Sequence, residues 1–126
     1  MSSPSELHFS ESHEWFKMDG DTVTIGITQF AANELTDITY VEMQSVGTVV
    51  SRDESAGEVE SVKTTSDVMT AFGGEIIEIN DSVVNDPSLL NSDPFGEGWL
   101  AKIRIKNETD GGSLMDQTAY DSKYPV

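Results

Sequence analysis

The chain reads as one small, mainly β domain, a β-sandwich or small barrel carrying a few short helices. Three observations predict this. Short runs rich in Val, Ile and Thr recur along the chain and are separated by frequent Gly, Asp and Asn turn signals. Where a run is long enough to show a period, as at Val23, Ile25 and Ile27, the period is two, which buries one face of a strand. And 126 residues suffice for one hydrophobic core and little more, so residues 1–126 are taken as a single domain.

Taken in order, Glu14 to Lys17 and Thr22 to Ile27 predict two strands. Met18-Asp19-Gly20-Asp21 forms the turn between them, because an Asp-Gly pair tolerates positive φ. Thr28 to Leu35 predicts a short helix, with the Thr28 hydroxyl as N-cap and Phe30, Ala31, Ala32 and Leu35 as helix-compatible residues. Ile38 to Met43 and Thr48 to Ser51 predict two further strands around a turn that Gly47 ends. Gly57 to Lys63 and Asp67 to Phe72 predict a hairpin, and Gly73-Gly74 marks a tight turn or a close backbone approach. Glu75 to Asn80 reads as strand. Asp81 to Gly98, rich in Asn, Asp, Ser, Pro and Gly, predicts one long loop of the kind that is often functional. Trp99 to Ile105 is the last strand. Beyond Asn107 the chain is polar, Gly111-Gly112 makes a break, and Leu114, Met115, Ala119 and Tyr120 at helical spacing predict one or two short terminal helices.

Composition narrows the function. There is no cysteine, hence no disulfide, thiolate metal site or thiol nucleophile, and redox chemistry would need an attached group. A net charge of −16 opposes binding to nucleic acid or to an anionic membrane. The same charge either keeps a monomer soluble or steers it to partners with basic surfaces. The N-terminus has neither the basic and apolar pattern of a secretory signal nor the arginines of a transit peptide, so a cytoplasmic protein is expected. His8 and His13 lie near Glu11 and Glu14, but five residues apart on a strand they would face opposite sides, and no metal site is expected. No nucleophile elbow, dinucleotide fingerprint or P-loop occurs.

Lys63 stands out. It is the only basic residue between Arg52 and Lys102, in Glu60-Ser61-Val62-Lys63-Thr64-Thr65-Ser66-Asp67-Val68. A lone amine on a turn is what an enzyme needs to acylate one lysine and no other. A Schiff-base lysine would need burial or cationic neighbours, whereas Glu58, Glu60, Asp67 and four hydroxyls surround this one.

The run Glu60-Ser61-Val62-Lys63 followed by Ser66-Asp67 resembles the lipoylation site of the glycine cleavage H-protein family. Ser12-His13-Glu14-Trp15, Thr24-Ile25-Gly26-Ile27-Thr28, Asp37-Ile38, Tyr40-Val41-Glu42, Val46-Gly47, Gly74-Glu75-Ile76, Glu78-Ile79-Asn80 and Asn91 through Leu100 match the family in order and spacing, from about residue 8 to residue 124. The resemblance implies a flattened β-barrel of the barrel-sandwich hybrid, lipoyl-domain type. Lipoate would be held covalently as N6-lipoyllysine at Lys63, with Glu60 and Gly74 helping to present the lysine and Ser12, Glu14, Asp67 and Thr70 lining a cleft for the arm. It implies a non-enzymatic carrier. A pyridoxal-phosphate glycine decarboxylase would load an aminomethyl group, a tetrahydrofolate-dependent aminomethyltransferase would take the methylene, and a dihydrolipoamide dehydrogenase would take electrons. A lipoylating enzyme is the remaining implied partner.

Three departures from the family pattern bear on this. Ala71 replaces a usual proline and Phe72-Gly73 replaces a smaller apolar residue and serine, which would loosen the strand leaving the hairpin. Glu34 stands where some members carry histidine, and Gly111-Gly112 would delay the terminal helix. A biotin carrier is disfavoured because Val62 and Thr64 stand where methionines usually flank the modified lysine. A lipoyl relay serving other complexes and an unmodified acidic binding module remain as alternatives.

Overall fold

A computed structural model describes residues 7–105 and 114–125. Among the described residues, nine strands and four short helices follow in the order β1 (Leu7–Phe9), β2 (Glu14–Asp19), β3 (Thr22–Ile27), α1 (Gln29–Leu35), β4 (Ile38–Met43), β5 (Val49–Val50), β6 (Ser55–Ser61), β7 (Thr65–Met69), β8 (Gly74–Ile79), α2 (Asp81–Asn85), α3 (Leu89–Ser92), β9 (Ala101–Ile105) and α4 (Gln117–Lys123). They form a six-stranded sheet, β1-β2-β3-β9-β8-β5, and a three-stranded sheet, β4-β6-β7. All pairings are antiparallel.

The core between the sheets follows from strand alternation. Val23 and Ile25 of β3, Val41 of β4, Val59 of β6, Val68 of β7, Ile76 of β8 and Ile103 of β9 are all buried in one apolar cluster. Phe72 joins it, edge-on to Phe16 at 5.5 Å. A second cluster of Leu7, Phe9, Trp15 and Tyr120 lies under α4. Among the described residues no helix is long and apolar enough to cross a membrane.

Several expectations hold closely. The turn after β2 uses Gly20 at φ 64°. Thr28 caps α1, its hydroxyl accepting the Ala31 N–H at 3.1 Å. Strand β4 has the predicted bounds. Others are corrected. Segment 81–98 is not a structureless loop: it contains α2 and α3, which bury Val83 and Leu90 in the core. Its polar residues are caps and ties. Asn80 accepts the Ser82 N–H at 3.1 Å and donates to the Glu97 and Trp99 carbonyls at 2.7 Å each. Strand β1 carries no sequence period, because three residues are too few to show one. Met115 lies outside α4; it bridges Phe9 in an extended pairing, and the helix starts at Gln117 with Asp116 as its cap. Gly111 and Gly112 fall outside the described residues.

The hairpin strands are shifted from the predicted bounds. β7 stops at Met69 because Thr70 folds its hydroxyl onto the next turn, accepting from the Phe72 N–H at 3.1 Å and donating to the Phe72 carbonyl at 2.8 Å. Ala71 therefore sits beyond the strand, and the buried Phe72 anchors the chain that leaves it.

Candidate functional site

The β6–β7 hairpin places Lys63 at its tip, and one serine organises the turn. The Ser61 hydroxyl accepts the N–H groups of Lys63 and Thr64, each at 3.1 Å, and donates to the Thr64 carbonyl at 3.1 Å. The Ser61 N–H donates to the same carbonyl at 2.8 Å. Serine suits this place because a short hydroxyl can satisfy its own chain two and three residues on. The Val62 N–H reaches across to the Asp37 carbonyl at 3.0 Å, tying the tip to the corner between α1 and β4. The backbone under Lys63 is thus held on both sides, while its side chain is exposed and its Nζ donates to the Glu34 carbonyl, at the C-terminal end of α1, at 3.3 Å.

Glu60 precedes this turn on the outer face of the three-stranded sheet, opposite Tyr40 on one side and Thr65 on the other. The next row holds Glu42, Glu58 and Asp67 side by side. The charge of Glu42, with smaller contributions from Glu58 and Glu60, pushes the exposed Tyr40 phenol above its usual value. Gly74 lies in the other sheet, at the start of β8, between Val50 and Ile105.

Of the expected cleft residues, Ser12 and Glu14 come together. Glu14 is only 2% exposed. Its carboxylate accepts from the Ser10 and Ser12 hydroxyls at 2.6 and 2.5 Å and from the Met69 N–H at 3.1 Å. It therefore fastens the start of β2 to the outgoing strand of the lysine hairpin, joining the two sheets. Thr70 is buried, with its hydroxyl engaged by Phe72. Asp67 is exposed.

Burial raises the Glu14 carboxyl above the usual range, against the pull of its hydrogen bonds to Ser10, Ser12 and Met69. A raised folded value means that Glu14 contributes stability below the ordinary carboxylate range and that this is lost as pH rises through the folded value. The expected result is a stability difference between wild type and Glu14→Gln that favours wild type more at acid pH than at neutrality. Urea unfolding of both proteins from pH 3.5 to 7 (about the span over which a shifted carboxyl titrates) checks the sign. A difference that instead favours wild type more as pH rises would contradict it.

His13 does not continue a strand from His8. It stands in a turn with φ 73°, so the argument that the two rings face opposite sides of a strand does not apply. Its Nδ1 pairs with the Tyr120 hydroxyl at 2.8 Å, which also meets the Thr28 hydroxyl at 2.8 Å. Phe30 and Tyr124 pack on its ring at 4.6 Å. Burial lowers its pKa, with the Glu34 charge opposing. This cluster docks α4 beside α1. Among the described residues no group of three or more His, Cys, Asp or Glu side chains is disposed to hold a metal ion.

Sequence reasoning gave no role to Ser61, which organises the hairpin tip, or to Asp37, whose carbonyl holds the Val62 N–H. Only Ser61 carried a local signal, a hydroxyl two residues before the lysine.

The family model for the glycine cleavage H-protein matches residues 7–125. Among solved structures, the chain is similar to the crystal structure of a glycine cleavage system H protein from Mycobacterium marinum. The TM-score is 0.88 at 36% identity, with 98% of this chain and 99% of that chain covered.

Proposed function

The chain belongs to the glycine cleavage H-protein family, and from that premise we propose that it is the lipoyl-bearing carrier of the system, with Lys63 as the attachment residue. The observation that carries this is the hairpin tip. A primary amine is exposed on a backbone fixed by Ser61 and Asp37, which suits an enzyme that must form an amide at one lysine. Lipoate joined there supplies a disulfide on a long flexible tether.

The chain's own part is presentation. It offers the tether in turn to the pyridoxal-phosphate glycine decarboxylase, the aminomethyltransferase and dihydrolipoamide dehydrogenase, and it catalyses none of their reactions. Glu60 would be read by the lipoylating enzyme as part of the approach to Lys63. The arm would rest near Ser12 and Asp67, with the buried Glu14 and Thr70 forming the floor beneath it. Gly74 would act indirectly, by keeping the sheet behind the hairpin closed.

Reconstitution tests the assignment. With the three enzymes, glycine, tetrahydrofolate and NAD, reduction of NAD is expected to require the lipoylated chain and to be absent with the unlipoylated one. A lipoylated chain that supports no NAD reduction yet donates its lipoyl group to another complex would favour the relay reading. The acid row beside Lys63 adds an expectation: association with the enzymes slows steeply as salt rises from low to physiological ionic strength. Stopped-flow rates that stay flat over that range would remove electrostatic steering.

A further inference from the structure

The corner on which the Lys63 hairpin rests is itself locked, and the lock is a side chain from a distant helix. Asn91 of α3 reaches the turn between α1 and β4 and grips it on both sides of Asp37. Its Nδ2 donates to the Thr36 carbonyl at 2.7 Å, and its Oδ1 accepts the Ile38 N–H at 3.0 Å. The orientation of the amide is dictated, because a carbonyl can only accept and an N–H can only donate. Its helix is anchored in turn by Leu90, which is fully buried in the core.

What Asn91 grips is costly backbone. Thr36 has φ 63° and ψ −142°, a region unfavourable for a β-branched residue. Such a conformation persists only where surrounding contacts over-determine it, and it often marks a functional position. The corner meets the hairpin twice: the Asp37 carbonyl accepts the Val62 N–H at 3.0 Å, and the Glu34 carbonyl accepts from Lys63 Nζ at 3.3 Å. The peptide groups that flank Asp37 are the two that Asn91 holds. An unheld corner could relax Thr36 toward negative φ, which would turn the Asp37 carbonyl away from Val62.

We propose that Asn91 is a positioning residue for the modification of Lys63, acting through the Thr36–Asp37 corner to fix the hairpin tip for the acylating enzyme. The modification half of this rests on the carrier reading above; the mechanical half does not.

The test uses the full-length chain as wild type, Asn91→Ala and Asn91→Asp. The aspartate keeps an acceptor for Ile38 but sets a carboxylate against the Thr36 carbonyl, so it stands in if the alanine variant folds poorly. Two readouts are compared: hydrogen exchange at the Val62 amide, and initial rates of Lys63 acylation by a lipoylating enzyme. In both variants the Val62 amide is expected to exchange about tenfold faster, the equivalent of one lost hydrogen bond, while Ile25 and Ile103 amides keep wild-type rates. The kcat/KM for acylation is expected to fall roughly three- to tenfold, since a misplaced nucleophile reacts less often. Wild-type exchange at Val62 with wild-type acylation would overturn the proposal. So would equal acceleration at Val62, Ile25 and Ile103, the mark of a merely structural role. A wild-type chain that is not acylated at Lys63 would defeat the carrier reading alone, since the exchange readout needs no acyl donor.

Discussion

Lys63→Arg is expected to abolish carrier activity completely while leaving the fold intact. Lys63 is exposed, and its side chain donates to the Glu34 carbonyl in an exposed contact. The turn beneath it is built by Ser61 and by backbone groups, none of which the substitution touches. Arginine keeps the positive charge and can still donate to Glu34. Stability should therefore stay within about 0.5 kcal/mol of wild type, as for surface substitutions generally. A guanidinium, however, stays protonated and offers no free amine for amide formation. NAD reduction in the reconstituted system should fall to the level without the chain, and the melting temperature should not move. Retained activity would mean that the lysine is only a surface charge.

Gly74→Ala is expected to act in the opposite way, through the fold. A Cβ at Gly74 would lie 2.1 Å from the Arg104 carbonyl oxygen and 2.9 Å from Ile103 Cγ2. The first of these is backbone of the neighbouring strand, which cannot rotate aside. Strands β8 and β9 would have to part where Gly74 pairs with Ile105, and β5 is paired on the other side at Val50. The cost should be roughly 3 kcal/mol, the upper end of ordinary overpacking. Gly20→Ala is the useful comparison: φ is 64° but nothing lies within 4 Å, so only backbone strain of about 1 kcal/mol is expected. Urea unfolding of the two variants separates a close approach from a turn requirement. A Gly74→Ala protein as stable as wild type but poorly acylated would instead give Gly74 a direct part in presenting Lys63.

These two residues also show what was legible in the sequence. The exposed place of Lys63 at a hairpin tip was readable because its signal is local: one lysine in an acidic run between β-branched residues. The same holds for the Thr28 cap, the alternation of β3 and the Asp19-Gly20 turn. Gly74 was half readable, since a glycine pair announces close approach without saying to what. The two helices of segment 81–98 were hidden by their composition. Asn80 and its polar neighbours look like loop residues until their caps are drawn, and only Val83 and Leu90 mark the buried side.

The residues that fasten the site were least readable, because their partners are remote. Glu14 looks like a solvated acid, yet one of its donors, Met69, lies 55 residues away. Asn91 meets Thr36 across the same separation and Ile38 across 53 residues. No local period or motif records such pairings. The order of motifs that resembles the family carried Asn91 along without assigning it a task.

The central claim is that Lys63 carries lipoate in the cell. The most direct measurement is the intact and peptide mass of the protein purified from its native host. The account predicts a mass increase of one lipoyl group, mapped to Lys63. An unmodified Lys63 in cells that demonstrably lipoylate other proteins would contradict it and would leave an acidic binding module as the better description.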